Sequence, residues 1–189
     1  KLKTAEGDEA ARLRKELGRI VASETSTADA VDQFAATLEN DPNDDSALER
    51  LVAGYAAQNK FTDAYAHLNR LLDKNPDAPQ EVRIRRHLAE LAMEHLESPE
   101  EASHHLETAL SVVGPDREIL ELLASVRLSA GDWSEAISTV RMLTGGAVML
   151  PEASMRKWLN AGIEAARMAE RPDDMRHFQE HLQREWGGA

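Results

Sequence analysis

Residues 45–78 read DSALERLVAGYAAQNKFTDAYAHLNRLLDKNPDA. Leu48, Leu51 and Tyr55 recur at helical spacing, and so do Ala64, Leu68, Leu71 and Leu72 after the polar break Asn59-Lys60. This pattern predicts two amphipathic helices joined by a short turn. The stretch closes on Pro76, which cannot continue a helix. The stretch before it closes on Pro42, 34 residues earlier. Sliding the chain by the same 34 residues lays Leu17 on Leu51, Val21 on Tyr55, Ala30 on Ala64, Phe34 on Leu68 and Leu38 on Leu72. It also lays Glu101 on Glu135, Ala102 on Ala136 and Leu106 on Val140. Ala64 and Ala102 are 38 apart, so about four residues are added between the two sets. A period in the thirties with two helices per period marks a stacked helical array. One helix pair cannot bury its own apolar stripe, but stacked neighbours can.

The rest of the chain fits an all-α reading. Leu13, Leu17, Ile20 and Val21 form one stripe, and Ala30, Val31, Phe34 and Leu38 form another. No stretch alternates apolar and polar residues as a half-buried strand would. The segment from Glu118 to Ala130 is apolar around most of its circumference, which predicts a helix buried on several sides. Helix starts are signalled at Ser26-Thr27-Ala28-Asp29, at Asp132-Trp133-Ser134-Glu135 and at Ser98-Pro99-Glu100-Glu101. The acid pairs Asp44-Asp45 and Asp173-Asp174 suit the positive end of a helix dipole better than a catalytic carboxylate dyad.

Composition excludes several functions. The chain has 189 residues, 42% apolar and 30% charged, with a net charge of −12. Only 4% are aromatic, too few for a base-stacking platform, and no basic footprint for a phosphate backbone exists beyond Arg83, Arg85 and Arg86. There is no cysteine, hence no disulfide, thiol nucleophile or thiolate metal site. No apolar run reaches the roughly 18 residues of a membrane span. A soluble protein of the cytoplasm, the periplasm or an organelle interior is expected, without membrane insertion. The chain begins with Lys1 rather than Met, so processing or excision from something longer is an expectation.

The pattern resembles the tetratricopeptide repeat (TPR) family. In residues 45–78, Leu48, Leu51, Tyr55, Phe61, Ala64, Leu68 and Pro76 carry the resemblance. Residues 11–44 join through Leu17-Gly18, Ala30, Phe34 and Pro42, and residues 79–116 through Ala102, Leu106 and Ala109. Residues 117–150 join through Leu120, Leu123-Ala124, Gly131, Trp133 and Ala136, and residues 151–186 form a final, degenerate pair with Met175 at the small-residue position. The resemblance implies one array over residues 1–189: an α-solenoid of about five antiparallel helix pairs in a right-handed superhelix. Ala30, Ala64, Ala102 and Ala136 then sit where helices cross closely.

The resemblance also implies a scaffold or adaptor binding a peptide or partner helix in a concave groove lined by the first helix of each pair. The groove candidates are Arg12, Lys15, Arg19, Glu49, Ala53, His87, Leu91, Glu94, Glu121, Ser125, Leu128, Asn160 and Glu164. Such a groove is basic at its N-terminal end and acidic in the middle, suiting a partner with an acidic end and a basic or apolar centre. Relatives that clamp C-terminal carboxylates use Lys, Asn and Arg. Here Arg19 and Arg50 stand where the asparagines belong, so tight carboxylate capture is not expected. The second reading is a structural segment of a larger or self-associating assembly.

Other signals lead nowhere catalytic. His177-Phe178-Gln179-Glu180-His181 has the H-x-x-E-H spelling of a zinc site, but only eight residues follow and a third ligand is lacking. Gly145-Gly146 lacks the Lys-Ser/Thr of a phosphate loop. No enzyme activity, metal or cofactor is expected. Residues 144–151 read either as a hinge or ligand loop, or as an ordinary loop with buried Val148 and Leu150. Trp186 reads as a folded-back anchor or as the mark of a trimmed end.

Overall fold

The structure is a computed structural model that describes residues 28–187. Among the described residues the regular structure is entirely helical. The helices are α1 (Ala28–Asn40), α2 (Asp45–Ala57), α3 (Phe61–Leu72), α4 (Ala78–Glu94) and α5 (Pro99–Val113). They continue as α6 (Arg117–Ala130), α7 (Trp133–Thr144), α8 (Glu152–Met168) and α9 (Pro172–Trp186). The links between them run from two residues, 131–132, to the segment 145–151. The described residues form two compact units, divided inside α4 between His87 and Leu88.

In the first unit, Val31, Leu38, Leu48, Leu51, Ala64, Leu68, Leu71 and Ile84 are buried. The loops repeat at the sequence period. Asp77 N–H donates to the Asn43 side-chain oxygen at 3.0 Å, across 34 residues. Asp44 accepts from Ala47 N–H at 2.9 Å and Asp77 from Gln80 N–H at 2.9 Å, so both aspartates cap the helices they precede. Ser26 and Thr27 of the first start signal and the stripe from Leu13 to Val21 lie outside the described residues, while Ala28 and Asp29 open α1.

The core of the second unit is built from Leu120, Ala124, Ala136, Ile137, Val140, Leu143, Trp158, Leu159, Ala165, Ala166 and Phe178. α6 buries Ile119, Leu120, Leu123, Ala124, Val126 and Arg127, as its all-round apolar pattern predicts. Asp116 caps it by accepting from Ile119 N–H at 3.0 Å. Two expected caps differ. Ser98 and Asp132 stand at N-cap positions but make no side-chain capping bond. Pro99 in the first turn of α5 is as expected, and Glu100 and Glu101 supply negative charge there.

The small-residue crossings follow the sequence, except in the last pair. Ala64, Ala102 and Ala136 are buried, each followed four residues on by a buried Leu68, Leu106 or Val140. Ala30 is half-buried. In the last pair Met175 does not take the small-residue place; it is half-buried at the edge of the core. Asp174 and Phe178 occupy the equivalent positions, 38 residues after Ala136 and Val140, and both are buried. The Asp174 carboxylate is held by Arg141 and Arg171, the latter at 2.6 Å. A buried charge persists only when paired in this way.

The segment 145–151 links α7 to α8 as a loop. Val148 and Leu150 pack on the second-unit core, while Met149 between them is 90% exposed. Trp186 is an anchor: half-buried, it donates its indole N–H to Glu152 at 2.9 Å.

Candidate functional site

The first helices of the repeats are α2, α4, α6 and α8, and within each unit side chains tie two of them together. In the first unit Asp45 pairs with Arg83, and Glu49 Oε1 meets His87 Nε2 at 3.2 Å. Both contacts span 38 residues, the longer of the two repeat intervals. The hydrogen bond from His87 holds the Glu49 carboxyl below its ordinary value, against the opposing effect of burial. Ala53, one turn along α2 from Glu49, is half-buried. Arg50 lies over the Phe34 ring of α1, 5.7 Å from its centroid, and is thereby drawn to α1.

In the second unit the Trp158 indole N–H donates to Glu121 Oε1 at 3.0 Å, across 37 residues. Trp158 is almost fully buried and Glu121 half-buried. One turn on, Ser125 is exposed and its hydroxyl donates to the Glu121 carbonyl at 2.9 Å. Leu128, a further turn along the same side, is half-buried against the core. Asn160 and Glu164 are exposed on α8, with Glu164 paired to Arg167.

These positions decide which expected groove residues can meet a partner. Glu49, Glu94, Ser125, Asn160 and Glu164 are exposed, and Ala53, His87, Glu121 and Leu128 are half-buried. Leu91 is only 7% exposed, and it is corrected to a core residue. α4 is long and turns one apolar stripe inward, with Ile84, Leu88 and Leu91 in register along it. Arg12, Lys15 and Arg19 lie outside the described residues. The structure joins Glu49 to His87 across 38 residues, the interval that also separates Ala64 from Ala102.

Sequence reasoning missed the Trp158–Glu121 bond and a network around Arg127. Arg127 is 9% exposed; it donates to Thr139 and Glu107 and lies 3.8 Å from Glu135. In the first unit Tyr55 Oη lies 3.3 Å from His67 Nδ1. Burial pushes the His67 imidazole below its ordinary value, Arg70 adds to this, and Glu39 opposes it. Of the H-x-x-E-H residues, His177 packs edge-on to Phe178 and His181 lies 4.0 Å from Glu185. Among the described residues, no three His, Asp or Glu side chains converge on a common point that could hold a metal.

Helix pairs repeating at 34 to 38 residues, with small residues at the crossings, define a tetratricopeptide-like helical repeat fold. Solved structures share it. A MamA crystal structure matches with a TM-score of 0.60 at 15% identity, covering 94% of this chain and 92% of that one. The Podosopora anserina putative kinesin light chain with nearly identical TPR-like repeats matches with a TM-score of 0.59 at 17% identity, over 91% and 93%. Pseudomonas aeruginosa pilF matches with a TM-score of 0.55 at 16% identity, covering 92% of this chain and 75% of that one. No protein-family model matches the sequence, and no curated protein matches it. No helix among the described residues is long and apolar enough to cross a membrane.

Proposed function

We propose that the chain is a non-catalytic protein–protein interaction scaffold whose first helices carry the contact face for a peptide segment or helix of another protein. The observation that supports this most is the arrangement of the first helices within each unit. Cross-helix contacts fix them against one another, Asp45–Arg83 and Glu49–His87 in the first unit and Glu121–Trp158 in the second. Ser125, Asn160 and Glu164 are left at the surface of α6 and α8. A face held rigid by such contacts loses little entropy on binding. Polar side chains at its surface favour reversible binding of a partner over a permanent apolar interface.

The test compares partner capture by the native chain with two double variants. Ser125→Arg with Asn160→Arg changes the first-helix face; Ser138→Arg with Gln179→Arg changes exposed positions on the second helices. A partner lost from the first variant and kept by the second supports the reading. Loss from the second variant alone moves the contact to the second helices. If the species captured through the first-helix face is another copy of the chain, the protein is a self-associating assembly segment.

A further inference from the structure

We infer that Glu121 receives a basic side chain, the guanidinium of an arginine on the partner, and this rests on the first helices being the contact face. Glu121 is half-buried, so its carboxylate is partly removed from water. One oxygen accepts the Trp158 indole N–H at 3.0 Å, and Trp158 is only 2% exposed, which fixes the geometry. Among the described residues no lysine, arginine or histidine pairs with Glu121. Lys157, beside Trp158 on α8, has its ammonium over the indole ring, 4.4 Å from the centroid.

The contrast within the same unit is instructive. Asp174, the buried carboxylate, has two arginines. Glu121 has one neutral N–H donor for a group with about four acceptor sites. Among the described residues this half-buried carboxylate has no counter-charge, so an incoming cation gains an ion pair and fills its open acceptor sites. A guanidinium suits it best, because it offers two parallel N–H donors and is weakly hydrated. Ser125 leaves the approach open: it is small, exposed, and its hydroxyl is already engaged with the Glu121 carbonyl. Half-buried Leu128 then offers an apolar contact to the residues flanking the arginine.

The indole N–H of Trp158 is a built-in reporter, because it touches the carboxylate in question. The experiment is a two-dimensional proton–nitrogen NMR titration of the full chain with the tripeptide acetyl-Ala-Arg-Ala-amide. Acetyl-Ala-Glu-Ala-amide serves as the control. A saturable shift of the Trp158 indole resonance with the arginine peptide alone is expected. The Trp186 indole donates to the exposed Glu152 and should not follow. In Glu121→Gln the amide oxygen still accepts from Trp158, so the indole resonance remains observable, displaced by the change of acceptor, and its response to arginine is lost. No response, an equal response to the glutamate peptide, an equal response at Trp186, or a response surviving in Glu121→Gln overturns the assignment. The capture experiment is independent of this one. Partner loss in Ser125→Arg without an arginine response keeps the contact face and discards the basic residue.

Discussion

Gly162 of α8 lies directly against the ring of Phe178 of α9. A Cβ added at Gly162 would stand 2.7 Å from Phe178 Cε2, and the ring is fully buried. Glycine to alanine inside a helix ordinarily stabilises by about 0.5–1 kcal/mol. Here Gly162→Ala is predicted to destabilise by about 1–3 kcal/mol through overpacking. Phe178→Leu in the same chain should restore part of the clash term. Urea unfolding of the two variants measures both effects, and a stabilised Gly162→Ala would contradict this packing.

Arg127 ties three helices together through Glu107 of α5 and Thr139 of α7. It stands two repeats after Tyr55, and each is joined to a side chain 12 residues ahead, Thr139 or His67. Arg127→Ala is predicted to cost about 2–4 kcal/mol, from lost stem packing and from buried Thr139 losing the donor to its oxygen, although its hydroxyl still donates to the Glu135 carbonyl. Glu107 is half exposed, so Glu107→Gln should cost less than about 1 kcal/mol. Equal losses for the two variants would show that the ion pair, not the burial of arginine, carries the stability.

The first helices end alike. Asn59, Glu97, Gly131 and Glu170 follow α2, α4, α6 and α8 and all have positive φ, between 51° and 79°. Only one of them is glycine, so the two glutamates hold a conformation that costs roughly 1–2 kcal/mol for a side-chain-bearing residue. Glu170→Gly is predicted to raise stability by about 0.5–1 kcal/mol, and Gly131→Ala to lower it by about 1–2 kcal/mol. Thermal unfolding of both variants reads the two signs.

His67 makes stability depend on pH. Burial lowers its folded-state pKa below the ordinary 6.5, so the unfolded chain binds the proton more readily. Its contribution is therefore complete above about pH 6.5 and is lost as pH falls from there toward the lowered folded value. One proton sets a limit of about 1.4 kcal/mol per pH unit. Glu49 acts lower: its carboxyl is held below the ordinary 4.5, so its contribution is present above that value and lost beneath it. Unfolding free energies between pH 7 and pH 5 should slope downward toward acid in the native chain and flatten in His67→Gln. An unchanged slope in that variant would assign the effect to other groups.

Much of the fold was legible because the repeat signal is carried by volume. Ala64, Ala102 and Ala136 are buried where the period puts them, and the polar breaks at residues 59–60, 97–98 and 131–132 are the turns. The last pair was misread by one residue because Asp174 is polar, and an aspartate in a first turn looks like a dipole partner before it looks like a core position. Only the arginines that flank it in space explain its burial. The surface candidates were legible in part. Ser125, Asn160 and Glu164 are exposed, but Leu91 could not be told from a groove residue because helical spacing alone does not say which of two stripes faces inward. The Glu121–Trp158 bond spans 37 residues, within the repeat interval, but spacing alone does not say which carboxylate a buried indole N–H meets.

Binding of another protein on the first helices is open to a direct test. Site-specific photo-crosslinking tests it most directly, with a photoreactive amino acid placed one at a time at Ser125, Asn160, Ser138 and Gln179 in the full chain. One defined protein is expected to be crosslinked from positions 125 and 160 and not from 138 or 179. Crosslinks from 138 and 179 with none from 125 and 160 would contradict it and place the contact on the second helices.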